Sequence, residues 1–112
     1  MSSEKENGAL REILRNIELA GQFTQGHTLV TLQADEKTLY AVVRSLEMIS
    51  EASRRLTDEL KARHPNIEWR EMAAAGNVYR HVYEDVTARR VWKTLQDHLP
   101  ALRAVVDKEL RG

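Results

Sequence analysis

The chain has 112 residues, with 17 basic and 17 acidic side chains, 42% hydrophobic residues, 5% aromatics and no cysteine. This length leaves room for one domain around one core, and residues 1–112 are read as a single helical domain. The lack of cysteine excludes a disulfide framework, a thiolate zinc site and a cysteine nucleophile.

No apolar run approaches the roughly 20 residues of a membrane span, and Met1 to Glu6 lacks the apolar stretch of a secretory signal. The expectation is a cytoplasmic protein without membrane contact. A formal charge of zero argues against a binder whose whole surface is basic, because phosphate affinity scales with the cations presented. The charge is uneven, however. Residues 61–93 hold 7 basic and 4 acidic side chains, a local excess of +3 that suits a phosphate.

Apolar residues recur at helical spacing almost throughout, and no segment sustains the alternation of a strand. Leu10, Ile13, Leu14, Ile17 and Gly21 form a first stripe. Gln22 to Thr31, with Gly26 and scattered threonines, reads as a loop. Asp35 is placed to cap a long second helix whose stripe runs Leu39, Val42, Val43, Leu46, Ile49, Ser53, Leu56 and Leu60, with a stop at Pro65. Asn66 is a candidate cap for a short third helix through Ile67 to Met72, and Gly76-Asn77 is expected to turn the chain. Thr87 is the next candidate cap. The stripe Val91, Leu95, Leu99, Leu102, Val106 and Leu110 keeps its phase across Pro100, which predicts one kinked helix or two nearly coaxial ones.

The expected fold is all-α, an antiparallel bundle of four to five helices. The stripe on the long second helix exceeds what short neighbours cover, which favours a dimer.

Chemistry concentrates between Trp69 and Trp92. Asn77, Tyr79, Arg80, His81 and Tyr83 bring amide, phenol, guanidinium and imidazole groups into a few residues. Imidazole shuttles protons near neutral pH, and guanidinium neutralises a phosphorane, a pairing suited to phosphodiester cleavage. RNA carries its own nucleophile in the 2′-hydroxyl, so no metal and no cofactor is required. His27, His64 and His98 lack zinc spacing and read as structural or exposed. Trp69 and Trp92 fall at apolar helical positions and read as core rather than base-stacking residues. Arg44, Glu47, Glu51 and Arg54 form a polar ribbon on the second helix, either ordinary helical salt bridges or groups that orient the histidine. Two carboxylates without a third ligand make no metal site.

From about Ile13 to Val106 the chain resembles the HepT-like ribonucleases of the HEPN superfamily, helical toxins paired with small nucleotidyltransferase antitoxins. The resemblance lies in Ala41 to Ala52, in Arg63-His64-Pro65 with Trp69, and in Asn77 to Tyr83 with Trp92. The family signature, Arg-Asn-x-x-x-His-x-Tyr, matches at Asn77, His81 and Tyr83, whereas Gly76 stands where the family has its arginine.

The resemblance implies a homodimer with the motif near its axis and an RNA substrate. It also implies cleavage by His81 with a nearby cation, for which Arg80 is the relocated candidate. Asn77, Arg44, Glu47 and Glu51 are the implied RNA-binding or orienting residues, and Tyr83 is the implied acceptor of adenylate from the antitoxin. An alternative remains open at this stage: with Gly76 in place of arginine, the chain is an inactive helical module that binds a nucleotidyltransferase or RNA.

Overall fold

The computed structural model describes residues 4–78 and 84–112, with side chains outside 76–86. Among these residues every regular element is helical. Helix α1 (Glu4–Phe23) and helix α3 (Glu36–Arg54) run antiparallel and make the most extensive contact in the molecule. Their direction is evident from Glu6, near the start of α1, which accepts a hydrogen bond from the Thr57 amide just past α3 at 2.7 Å. Glu12 likewise pairs with Arg55.

The first departure from the expected elements falls at Gln22 to Thr31. The chain does turn at Gly26, whose φ of 80° favours glycine. A short helix α2 (Leu29–Ala34) then begins inside the expected loop. Thr28 caps it, accepting from the Thr31 amide at 3.2 Å while the Thr31 hydroxyl accepts from the Thr28 amide at 2.8 Å. Asp35 caps α3 as its position predicts: Oδ1 accepts from the Thr38 amide at 3.0 Å and Oδ2 from the Thr38 hydroxyl at 2.7 Å. These two Thr38 bonds lower the Asp35 pKa.

The long second helix is in fact two. Helix α3 stops at Arg54, and Thr57 opens helix α4 (Asp58–Arg63) by accepting from the Leu60 amide at 3.2 Å. The stripe keeps its phase across this break, and Leu56 and Leu60 are both buried, which is why periodicity alone runs the two helices together. The next helix, α5, spans Trp69–Val78. It starts three residues after Asn66, which is not its cap, and it continues through Gly76 and Asn77, where the expected turn does not occur.

Helix α6 (Glu84–Lys93) passes into a π-helical turn, Thr94–His98, and then into helix α7 (Leu99–Arg111). The Leu99 amide bonds back to Thr94 O, one residue farther than in an α-helix. The wider turn accommodates Pro100, which has no amide to donate and sits in the first turn of α7. Thr87 lies inside α6 rather than at its start, and its hydroxyl is buried with no hydrogen-bond partner among the described residues.

One apolar cluster holds these elements together. Leu10, Ile13, Leu46, Ile49, Leu102 and Val106 are among its most buried members, each contributing roughly 1.5–3 kcal/mol by leaving water. The stripe of α3 and α4 is covered within this chain: Leu39, Val42, Leu46, Ile49, Leu56 and Leu60 are all buried. The reasoning that an uncovered stripe calls for a second copy therefore does not hold. Trp69 and Trp92 pack against the core, as their apolar positions predict. No helix among the described residues is long and apolar enough to cross a membrane.

Candidate functional site

Helix α5 carries the chain toward the signature segment, and its placement is controlled from α3. The Ser50 hydroxyl donates to Ala73 O at 2.8 Å, and Arg54 Nε donates to the same oxygen at 3.1 Å. Ser50 is fully buried. At its other end α5 is held by the Trp69 indole, whose Nε1 donates to His64 O at 3.0 Å and Lys61 O at 3.2 Å. The helix is thus fastened at its first turn and again one turn later.

Arg80, His81 and Tyr83 lie outside the described residues, as does the side chain of Asn77. The backbone of Asn77 is in the last turn of α5. Arg44 and Glu51 are exposed on α3 and Glu47 is half-buried. Among the described residues these three form no salt bridge with one another. The Ser50–Ala73 bond sets the middle of α5 against the C-terminal half of α3, and α5 continues from there through Gly76 and Asn77 to Val78. Arg54, the fourth member of the ribbon, serves α5 rather than the other three.

A second polar cluster joins α4 to α7. His64 Nε2 lies 2.6 Å from Glu109 Oε2, and Arg63 Nη2 donates to Oε1 of the same carboxylate at 2.8 Å. The hydrogen-bonded Arg63 guanidinium holds the Glu109 pKa down at about 2; burial opposes this and His64 adds to it. His64 is buried. The cluster is structural, in keeping with the reading of this histidine. His27 is also locally bound, with Nδ1 3.0 Å from the Thr31 hydroxyl.

Helix α5 packs on α3, and the space between α5 and the α6–α7 rod is an open groove of ≈ 580 Å³. Glu68 and Glu71 line one side; Arg90, Lys93 and His98 line the other. Hydrogen bonding to Glu68 and repulsion by it push the Glu71 carboxyl above its ordinary range, while His98 and Lys93 act in the opposite direction. Sequence reasoning missed this groove. The available signal was the spacing of Arg90, Lys93, Thr94, Asp97, His98 and Ala101, which is that of a single helical face. Among the described residues no cluster of three or more His, Asp or Glu side chains is arranged to hold a metal ion.

Four rods, α1, α3, α5 and α6–α7, with the short α2 and α4 between them, make the chain a small helical bundle of the HEPN kind. Residues 13–109 match the family described as Ribonuclease HepT-like, and the chain belongs to that family. It is 38% identical over 99 residues to a Thermococcus cleftensis protein named "Probable ribonuclease HepT", with 88% of this chain and 90% of the relative aligned. It is 28% identical over 107 residues to a Methanocaldococcus jannaschii protein named "Putative RNase MJ1380", covering 96% of this chain and 98% of that one. No solved structure gives a significant match.

Proposed function

We propose that this chain is an endoribonuclease that works without a metal, the toxin of a toxin–antitoxin pair in the cytoplasm. The observation that carries this reading is the family match over residues 13–109, combined with Asn77, His81 and Tyr83 at the spacing of the family signature. The 2′-hydroxyl of a ribose attacks the adjacent phosphorus, so the substrate provides the nucleophile. His81 takes or returns the proton as general base or acid, and Arg80 neutralises the charge that builds on the phosphoryl oxygens. The bond to the 5′-oxygen breaks, the leaving oxygen takes up a proton, and a 2′,3′-cyclic phosphate remains.

Asn77, Arg44, Glu47 and Glu51 bind or orient the RNA in this scheme. Their support is the family resemblance, together with the packing of α5 on α3, the helix that carries Arg44, Glu47 and Glu51. Two copies of the chain form one cleft, and a nucleotidyltransferase partner silences it by adding adenylate at Tyr83, which places bulk and negative charge where RNA enters. The test is incubation of the purified chain with total tRNA and mRNA, with and without the candidate antitoxin and ATP. Cleavage by the wild type, lost in His81→Ala and suppressed by the antitoxin only with ATP, is the expected result. A wild type that leaves RNA intact refutes the enzyme.

One observation favours a second reading. Gly76 occupies the place of the signature arginine, and a chain lacking that cation would act as a binding module for the nucleotidyltransferase or for RNA.

A further inference from the structure

We propose that the groove between α5 and the α6–α7 rod is a binding subsite for a base and phosphate of single-stranded RNA flanking the scissile linkage. This rests on the nuclease reading for its substrate class, and nothing in that reading requires the groove.

The side formed by α6 and the π-helical turn presents Arg90, Lys93 and His98, with the Asp97 carboxylate beside them. Arg90 and Lys93 are exposed, and among the described residues neither has a carboxylate within ion-pair distance. Arg90 and Lys93, three residues apart on one helical face and free of close ion pairs among the described residues, can together hold a phosphate on the side of the groove across from the α5 carboxylates. Ile67, Met72, Ala75 and Ala101 supply apolar lining for the face of a base. At ≈ 580 Å³ the space is of small-ligand size, within the usual range of about 300–1,000 Å³.

The α5 side selects among bases. Glu68 and Glu71 crowd two carboxylates together. An exocyclic amine, as on cytosine or adenine, donates to such oxygens and relieves their repulsion, whereas uracil offers a carbonyl oxygen at that position. The location fits as well. Ala75 at one end of the groove is only three residues from Val78, the last described residue of α5, a helical rise of about 4.5 Å. A strand engaged at the signature segment therefore needs little length to reach the groove.

The experiment measures fluorescence anisotropy of short single-stranded RNA probes, 2′-O-methylated throughout so that they bind without being cut. One probe is rich in cytosine and the other in uracil. Cleavage of unmodified RNA is measured in parallel.

Arg90→Ala with Lys93→Ala is expected to weaken binding of the cytosine probe about tenfold and to lower the salt slope by about 0.7, the value for one lost phosphate contact. Ala101→Trp fills the groove from an exposed helix position and is expected to weaken binding as much without lowering the melting temperature. Glu71→Gln is expected to reduce the preference for the cytosine probe over the uracil probe.

If the wild type cleaves RNA and these variants bind both probes as it does, the groove proposal is overturned and the nuclease reading stands. Groove-dependent binding by a wild type that does not cleave overturns the nuclease reading and leaves the groove. Ala101→Trp that loses a nucleotidyltransferase partner but keeps full RNA binding makes the groove a protein dock, and the proposal fails.

Discussion

The Ser50 hydroxyl and the Ala73 carbonyl meet at 2.8 Å across the α3–α5 interface, a separation of 23 residues in sequence. Arg54 Nε shares the same acceptor at 3.1 Å. Two donors on one helical carbonyl fix both the axial position and the rotation of α5, whose last turn carries Gly76 and Asn77, the first two positions of the signature.

Loss of that contact is expected to appear in both stability and RNA cleavage. Ser50→Ala removes a buried hydrogen bond, expected to cost about 1 kcal/mol. Ser50→Ala with Arg54→Ala frees α5 to shift, and a displacement of about 1 Å at a cleavage site is enough to cost on the order of a hundredfold in rate. Urea unfolding and RNA cleavage measured on the single and double variants check this. A double variant that loses stability but cleaves as the wild type does shows that α5 placement does not control the site.

The Glu109 cluster makes a prediction about acid. Its carboxyl titrates at about 2 in the folded chain against 4.5 ordinarily. A lowered folded-state pKa contributes stability that is fully present above the unfolded value and is lost as pH falls from about 4.5 toward about 2. A displacement of that size corresponds to about 3 kcal/mol, which solvent screening at the part-exposed Arg63 reduces to about 1–2 kcal/mol. Glu109→Gln is expected to be less stable than the wild type at pH 7 and to show a shallower loss between pH 5 and about 2. Denaturant melts across that range decide it, and parallel curves for the two proteins refute the assignment.

Thr57 is the hinge of the α3–α4 break. Thr57→Ala removes the cap on the Leu60 amide, at an expected cost of about 1 kcal/mol. Because the Thr57 amide also donates to the Glu6 carboxylate, Glu6→Gln is expected to loosen the same joint from the α1 side. Amide exchange in α4 is the measurement. Faster exchange confined to Asp58 to Arg63 is expected from Thr57→Ala, and unchanged exchange there excludes the capping role.

That break shows where the sequence was readable and where it was not. Asp35 announces its helix through a local side chain, whereas the Thr28 cap lies unread inside the expected loop, and the helical stripes mark the core because burial follows a period of 3.6. At Thr57 the stripe runs on through Leu56 and Leu60 and conceals the interruption, although Thr57-Asp58-Glu59 is a good helix start. Gly76-Asn77 misled in the opposite sense: weak helix formers there are carried by the fastening of α5 on α3, a tertiary effect with no local signal. The signature residues form a chemical pattern in the sequence, and Arg80, His81 and Tyr83 lie outside the described residues. The groove was not legible, because it exists only when residues 67–75 face residues 90–101.

Gly76 offers the sharpest separation between an active enzyme and a binding module. Helix α5 is continuous through this position, so an arginine side chain meets no demand for a left-handed backbone. Replacing glycine inside a helix is worth up to about 1 kcal/mol in propensity, and Gly76→Arg is therefore expected to fold at least as well as the wild type. If Arg80 already supplies the cation, the wild type cleaves RNA, Gly76→Arg changes the rate by less than about tenfold, and Arg80→Ala abolishes activity in the wild type while Gly76→Arg partly rescues it. If the cation is missing, only Gly76→Arg cleaves, and Arg80→Ala leaves its rate unaltered. Cleavage of one defined RNA by the four proteins distinguishes the two outcomes, and a melting temperature for each shows that any loss is chemical rather than a failure to fold.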